Sequence, residues 1–240
     1  MAFTLSLTQS QSLSALRTVL ASALPTGMEI IQGESSRVPE PIGPDFVIYW
    51  PILRARLETN IKNYQDCAFT GSVAGTTLTI ATMLLNTINV AAQPTLFGPT
   101  VLSGTQITAQ TSGTPGGAGV YTISRSQTIP SGPLAAGVLS MLQPTQLTVQ
   151  CDVHGPASAD NVQIITTLLR SSYACDLFAA TGYDVTPLYA SDPRQSPFLN
   201  SESQVEKMWS VDAVLQTNQI VFVPQQFFNA LSITVAPPLA

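Results

Sequence analysis

The chain has 240 residues, 45% of them hydrophobic and only 10% charged, with a net charge of −5. That length supports one large domain or two modest ones with a substantial core, while the charge content is far below the ~25% of an ordinary soluble domain. The nine cations are scattered, with only Arg54 and Arg56 close together, so no basic run exists of the kind that binds a phosphate backbone directly.

A surface so poor in ions is covered by Ser, Thr, Gln, Asn, Gly and Pro, and little bound water has to be stripped from it on contact. This favours lasting protein–protein contacts over a free monomer. The cysteines are Cys67, Cys151 and Cys175; an odd number without C-x-x-C spacing argues against a disulfide framework and for synthesis in a reducing cytoplasm. The opening MAFTLSLTQSQ lacks the basic flank and apolar core of a signal peptide. No stretch approaches the ~18 apolar residues of a membrane span, so no membrane partner is expected.

In chain order, Leu13, Leu16, Leu20 and Leu24 recur at spacings of three and four. That spacing predicts a helix over 10–24, capped by Ser10 or Ser12 and stopped by Pro25 and Gly27. Met28 to Gln32 is a short strand candidate. A proline-punctuated loop from Arg37 to Pro44 leads to a strand in which Phe46, Ile48 and Trp50 share a face. That strand continues past Pro51 through Leu53, Ala55 and Leu57, with Arg54, Arg56 and Glu58 between them, one face buried and one polar.

From Ala68 to Leu142 the only charged residue is Arg125. Short strands are expected at Thr76 to Ala81, Thr87 to Ala91, Gln106 to Ala109 and Val120 to Ser124, separated by turn clusters such as Gly116-Gly117. Alternation then marks a strand from Gln146 to His154, with Leu147, Val149, Cys151 and Val153 inward and Thr148, Gln150, Asp152 and His154 outward. Ser158 or Asp160 caps a second helix running to about Ala174, with Val162, Ile165 and Leu169 as its stripe. A Pro/Asp/Ser-rich loop from Asp184 to Glu202 precedes a strand carrying Trp209, Val211, Ala213 and Leu215. A turn at Thr217-Asn218 leads to the last strands, Ile220 to Pro224 and Phe227 to Val235.

The expected fold class is therefore α+β: mostly antiparallel sheet packed by two helices, with an inserted small all-β domain. Residues 1–66 and 143–240 form one discontinuous domain, and residues 67–142 the inserted module.

Catalytic signatures are weak. Asp152-x-His154 puts a carboxylate and the single histidine on one strand face, a fragment of a metal site at most. No G-x-S-x-G elbow or phosphate-loop pattern accompanies it. The glycines from Gly113 to Gly119 read as a flexible hairpin tip. No catalytic, cofactor-binding or metal-binding residue is assigned, no cofactor is expected, and the chain is read as not an enzyme. Arg54, Arg56 and Glu58 would form oriented ion pairs if they face a neighbouring subunit, and contribute little if they face water.

Several segments together resemble the neck/tail-terminator family of contractile-tailed phages. They are Arg37-Val-Pro-Glu-Pro-Ile-Gly-Pro-Asp-Phe-Val-Ile48, Pro51-Ile-Leu-Arg-Ala-Arg-Leu57, Val149-Gln-Cys-Asp-Val-His-Gly155 leading into the helix that carries Thr166-Thr-Leu-Leu-Arg170, and Ile220-Val-Phe-Val-Pro-Gln-Gln-Phe-Phe228. The similarity spans roughly 10–66 and 143–240; Thr111 to Ser124 resembles the Gly/Thr-rich β modules of phage structural proteins. The resemblance implies a virion protein, assembled in the host cytoplasm, that forms a homo-oligomeric ring, usually a hexamer, at the head-proximal end of the tail. Such a ring terminates tube and sheath growth, meets the tail tube and sheath proteins and the head–tail connector or stopper, and lets DNA pass through its lumen without specific binding. The β module would point outward. The candidate subunit or tube interface comprises Arg37, Glu40, Arg54, Arg56, Glu58, Phe227 and Phe228. The alternatives are another neck or head-completion role, or a surface-binding module carried by the β insert.

Overall fold

The computed structural model describes residues 4–33, 41–199 and 205–225. The chain divides into two compact units: Ser6–Asn60 with Leu142–Ile220, and Ile61–Met141 with Met1–Leu5 and Val221–Ala240.

In the first of these units, helix α1 (Gln9–Ala23) starts at a reciprocal cap: Thr8 Oγ1 accepts from the Gln11 amide at 3.2 Å, and Gln11 Oε1 accepts from the Thr8 amide at 2.8 Å. Two orphan amides are thereby satisfied, so the cap is Thr8 and not Ser10 or Ser12. Ser12 is instead buried, its hydroxyl donating to the Thr8 carbonyl. Leu13, Leu16, Leu20 and Leu24 are all buried as the spacing predicts, and each such side chain contributes about 1.5–3 kcal/mol by leaving water.

Strand β2 (Glu29–Gln32) pairs in parallel with β3 (Phe46–Arg56). The other side of β3 pairs antiparallel with the end of β7 (Gly119–His154), from Phe46 opposite His154 to Arg56 opposite Thr145. The register shifts between Pro51 and Leu53, a bulge at Ile52 next to a proline that has no amide to give the ladder. β7 runs antiparallel to β10 (Val205–Pro224): the Gly155 amide donates to the Lys207 carbonyl at 3.0 Å, and the Thr217 hydroxyl to the Thr145 carbonyl at 3.3 Å. β8 (Val185–Ala190) and β9 (Arg194–Leu199) lie antiparallel along β10. Helices α2 (Ser158–Leu169) and α3 (Ser172–Ala180) complete the unit. Its core joins Val47 and Tyr49 of β3, Leu147, Val149, Cys151 and Val153 of β7, and Val211, Ala213 and Leu215 of β10 to the apolar faces of the helices.

The second unit has its own core of Phe69, Val73, Leu78, Ile80, Leu96, Ile107, Tyr121, Ile123 and neighbours. β4 (Ile61–Leu85) folds back at Gly75, whose φ is +66°; a Cβ at Gly71 would lie 2.7 Å from the Thr79 carbonyl oxygen. β5 (Thr95–Phe97) and β6 (Ile107–Gly113) pair with the β7 stretches Ala135 to Gly137 and Gly119 to Ile123. The Gly113 to Gly119 glycines form the tip of the β6–β7 hairpin, beneath which the buried Tyr121 hydroxyl donates to the Gly117 carbonyl at 2.6 Å.

Five expectations are corrected. The fold is not a balanced α+β class: among the described residues strands dominate, there are three short α-helices where two were expected, and the sheet is mixed because β2 and β3 are parallel. The Thr- and Val-rich stretches over 61–85, 119–154 and 205–224 are extended for most of their length, the first turning back at Gly75, as β-branched residues favour. The expected turn at Thr217-Asn218 is extended backbone, since the buried Thr217 and Gln219 side chains are tied to the Thr145 and Leu7 carbonyls. The loop expected over 184–202 contains β8 and β9, where pairing onto β10 overrides the local proline content. The second helix ends at Leu169, and the Ser171 hydroxyl bonded to the Leu168 carbonyl marks the break before α3. Likewise Thr87 to Ala91 is not a strand: Asn86 has φ +52° and a 3₁₀ turn occupies Val90–Ala92.

The thiols differ sharply. Cys67 and Cys151 are buried, and Cys175 is exposed on α3. Burial pushes the Cys67 thiol up to about 11 and likewise raises Cys151.

Candidate functional site

β3 brings two different surfaces to one strand. In its first half, Val47 and Tyr49 enter the core while Phe46, Ile48 and Trp50 remain half-buried on the opposite face. The buried face is thus the one opposite to Phe46, Ile48 and Trp50. These three line a groove of about 940 Å³ with Asp152 and His154 of β7, Met208 of β10, and Pro41 and Pro44 of the preceding loop. The cross-strand register explains the neighbours, because Phe46 is opposite His154 and Ile48 opposite Asp152.

His154 is 3% exposed and stacks on Phe46, ring centroids 4.5 Å apart and planes within 9°. Burial lowers its pKa, against the opposing pull of Asp152 and Glu206, so the ring is neutral at pH 7. Gln150 Nε2 donates to Asp152 Oδ1 at 2.9 Å. The groove floor is held in place from the loop side: Asp45 Oδ1 accepts from the Ala157 amide at 2.9 Å, and Gly155 at φ +103° packs against Pro44 and Asp45 so closely that a Cβ would collide with both. The lining offers no hydroxyl or thiol nucleophile beside the histidine. Among the described residues no three His, Cys, Asp or Glu side chains gather as a metal site. Chemically the groove is an aromatic and proline-rich contact surface with a polar margin.

The second half of β3 is an open edge. β2 pairs only with Phe46 to Tyr49, so among the described residues Leu53 to Arg56 have β7 on one side and no strand on the other. The edge carries apolar side chains in water: Ile52 is 47% and Leu53 54% exposed. On the far side of the same sheet, among the described residues β8 pairs only with β10, and it exposes Leu188 and Tyr189. Exposed edges with apolar side chains are templates for another strand.

The three interface candidates on β3 have different surroundings. Arg54 is tied to its own chain, donating to Gln219 Oε1 at 2.9 Å and to Gln9 Oε1 at 3.3 Å, which braces β3 against β10 and α1. Arg56 and Glu58 are exposed at the strand's end. Arg37, Glu40, Phe227 and Phe228 lie outside the described residues. The only ion pairs among the described residues are Arg170–Asp192 at 2.7 Å and Arg194–Asp212 at 3.2 Å. The β8 edge has no marker in the sequence beyond a weak alternation around Pro187. The β3 edge follows from β2 being four residues long.

A family model described as phage neck terminator protein matches residues 101–237. No curated protein matches the chain. The matched span covers β6 onward, including the part of the β-rich unit from residue 101, and does not reach back to the 10–66 segments.

Proposed function

Because the chain belongs to the phage neck terminator family, a structural family of the virion neck and tail whose members associate with other phage proteins, we propose that it forms a closed ring at the head-proximal end of the tail. The ring ends tube and sheath growth and supplies the surface on which the head connector docks. Six copies are the expected number, with DNA passing through the lumen without specific contacts.

The observation that carries this reading, beyond membership of the family, is the pair of unlike edges in the sheet of one unit that no further strand covers among the described residues. One is at β3 with exposed Ile52 and Leu53, the other at β8 with exposed Leu188 and Tyr189. Two different complementary patches generate head-to-tail contacts, and such contacts close into rings when their rotation closes. The scarcity of charge supports it, since contacts made by this surface strip few ions of water. Arg56 and Glu58 lie at the end of one of these edges and belong to the proposed interface; Arg54 acts behind it as a brace.

Residues 67–142 are best read as a module inserted into the ring-forming unit. The Gln143 side chain donates to Asn60 Oδ1 at 2.7 Å, and the Leu57 amide to the Pro144 carbonyl at 3.0 Å. The chain therefore leaves the ring-forming unit and returns to it at neighbouring points, as an insertion requires.

Native mass measurement and symmetric particle images of the purified chain test the reading. A ring-sized particle that binds the ends of isolated tail tubes is expected. A strictly monomeric species at high micromolar concentration that ignores tail tubes overturns it.

A further inference from the structure

We propose that Asp66 and Thr95 together bind a hard cation of calcium size, held between β4 and β5 above Gly137 of β7. The site lies within the β-rich unit, and it holds or fails independently of the ring.

Strand alignment brings the two side chains to one place. Thr95 of β5 is opposite Gly137 of β7 and Leu96 is opposite Ala136, while β4 also pairs with β7. Cys67 Sγ donates to the Ala136 carbonyl at 3.3 Å and Ser140 Oγ to the Asn63 carbonyl at 3.1 Å. These bonds share one antiparallel alignment, with Cys67 beside Ala136. Cys67, Ala136 and Leu96 are therefore one row across three strands, and all three belong to the core of this unit. One residue along each strand, Asp66, Gly137 and Thr95 make the next row, and alternation puts it on the opposite face of the sheet. Because its middle position is a glycine, no side chain separates the carboxylate from the hydroxyl.

Both groups are short of partners. Asp66 Oδ1 and Thr95 Oγ1 are buried with no hydrogen-bond partner among the described residues, and Thr95 is only 4% exposed. Neither of the ion pairs among the described residues uses Asp66. A buried ionised oxygen without compensation is costly, and a cation supplies that compensation where no Lys or Arg does. Two strand spacings set the Asp66 and Thr95 Cα atoms about 9.5 Å apart. Side chains of this length leaning over a glycine close to within about 5 Å, the distance across an ion whose oxygens sit about 2.3–2.6 Å away. Magnesium, with contacts of about 2.0–2.1 Å and strict octahedral demands, fits that separation less well. One carboxylate and one hydroxyl leave the other coordination positions to water, so the dissociation constant is on the order of 10⁻⁴–10⁻³ M. The Asn86 side chain donates to the Asp66 carbonyl at 2.8 Å and fixes the backbone that carries the carboxylate. The ion fastens the three-residue β5 to the much longer β4 across β7.

Calorimetric titration of calcium chloride into the full chain, stripped with EDTA and exchanged into metal-free buffer, tests this. One saturable site per chain is expected, and the thermal midpoint should rise with calcium. Asp66→Asn and Thr95→Val should each weaken binding by about tenfold or more. With EDTA present, Asp66→Asn should melt at or above the parent, because the substitution removes an uncompensated charge; with calcium the order should reverse. An aspartate with a purely structural role gives no such crossing. Terbium provides a reading that does not depend on altering either ligand. Tyr64, two residues from Asp66 on the same face, is 61% exposed, so Tyr64→Phe should fold as the parent does. Terbium emission excited through tyrosine should appear in the parent, be displaced by calcium, and fall in Tyr64→Phe. No saturable calcium binding, no calcium-dependent melting shift, or binding unchanged in both ligand variants overturns the proposal and leaves the two oxygens to a bound water.

Discussion

His154 is the residue where environment most changes chemistry. Its burial against Phe46 lowers the imidazole pKa, so between the folded and unfolded values the unfolded chain binds more protons. Stability from this group is then fully present above the unfolded pKa of ~6.5 and declines as pH falls through the depressed folded value. Thermal melts between pH 7.5 and pH 5 should show that decline in the parent and a shallower one in His154→Gln. An equal slope in both would assign the acid lability elsewhere. Gly155 beside it should tolerate no side chain, because φ +103° and the proximity of the Pro44 carbonyl both oppose a Cβ. Gly155→Ala should cost on the order of 1–3 kcal/mol in a denaturant titration. Sequence reading placed His154 and Asp152 on one strand face but had them facing outward. Both are nearly buried, because the Pro41–Pro44 loop and the start of β10 cover that face, and no local pattern encodes a cover supplied from 40 or more residues away.

At the scale of elements, the buried faces of α1 and of the β7 end were legible. Leu13, Leu16 and Leu20 at helical spacing, and Leu147, Val149, Cys151 and Val153 at alternate positions, are each buried at 1% or less. Such periodicity survives because one face meets a core and the other does not. β3 was legible as a strand and misread in its facing, since Phe46, Ile48 and Trp50 alternate just as convincingly as Val47 and Tyr49. β8 and β9 were invisible, because their partner lies on β10 and pairing is not a local property. The helix cap allows a direct check. Thr8→Ala removes one half of the reciprocal cap at α1 and should destabilise by about 1 kcal/mol, whereas Ser10→Ala, at one of the two positions the sequence suggested instead, should not. Leu16→Ala, fully buried in the middle of the same helix, should cost roughly 2–5 kcal/mol.

At the scale of the whole molecule, composition spoke to function and the order of segments spoke to the family; neither revealed how copies would meet. The edges that carry the proposed ring emerge only once, among the described residues, β2 is seen to pair with four residues of β3 and β8 to lie outermost on β10. The separate core over residues 61–141 makes a further expectation. Replacing 61–141 with a short turn between Asn60 and Leu142 should leave a chain that still unfolds cooperatively by calorimetry and still assembles. Loss of folding would show that the two cores depend on each other. If such a variant builds normal tails that adsorb normally, the β-rich unit has no part in host recognition; normal tails with lost adsorption would assign it one.

The contrast among the three thiols has a practical consequence. Cys67 and Cys151 are sealed inside separate cores with their thiolates disfavoured, while Cys175 faces solvent. A maleimide fluorophore added to the folded, unaltered chain should attach once, at Cys175. Stepwise photobleaching of single labelled particles would then count the copies in each assembly directly, without engineering a tag into any surface on which that assembly depends.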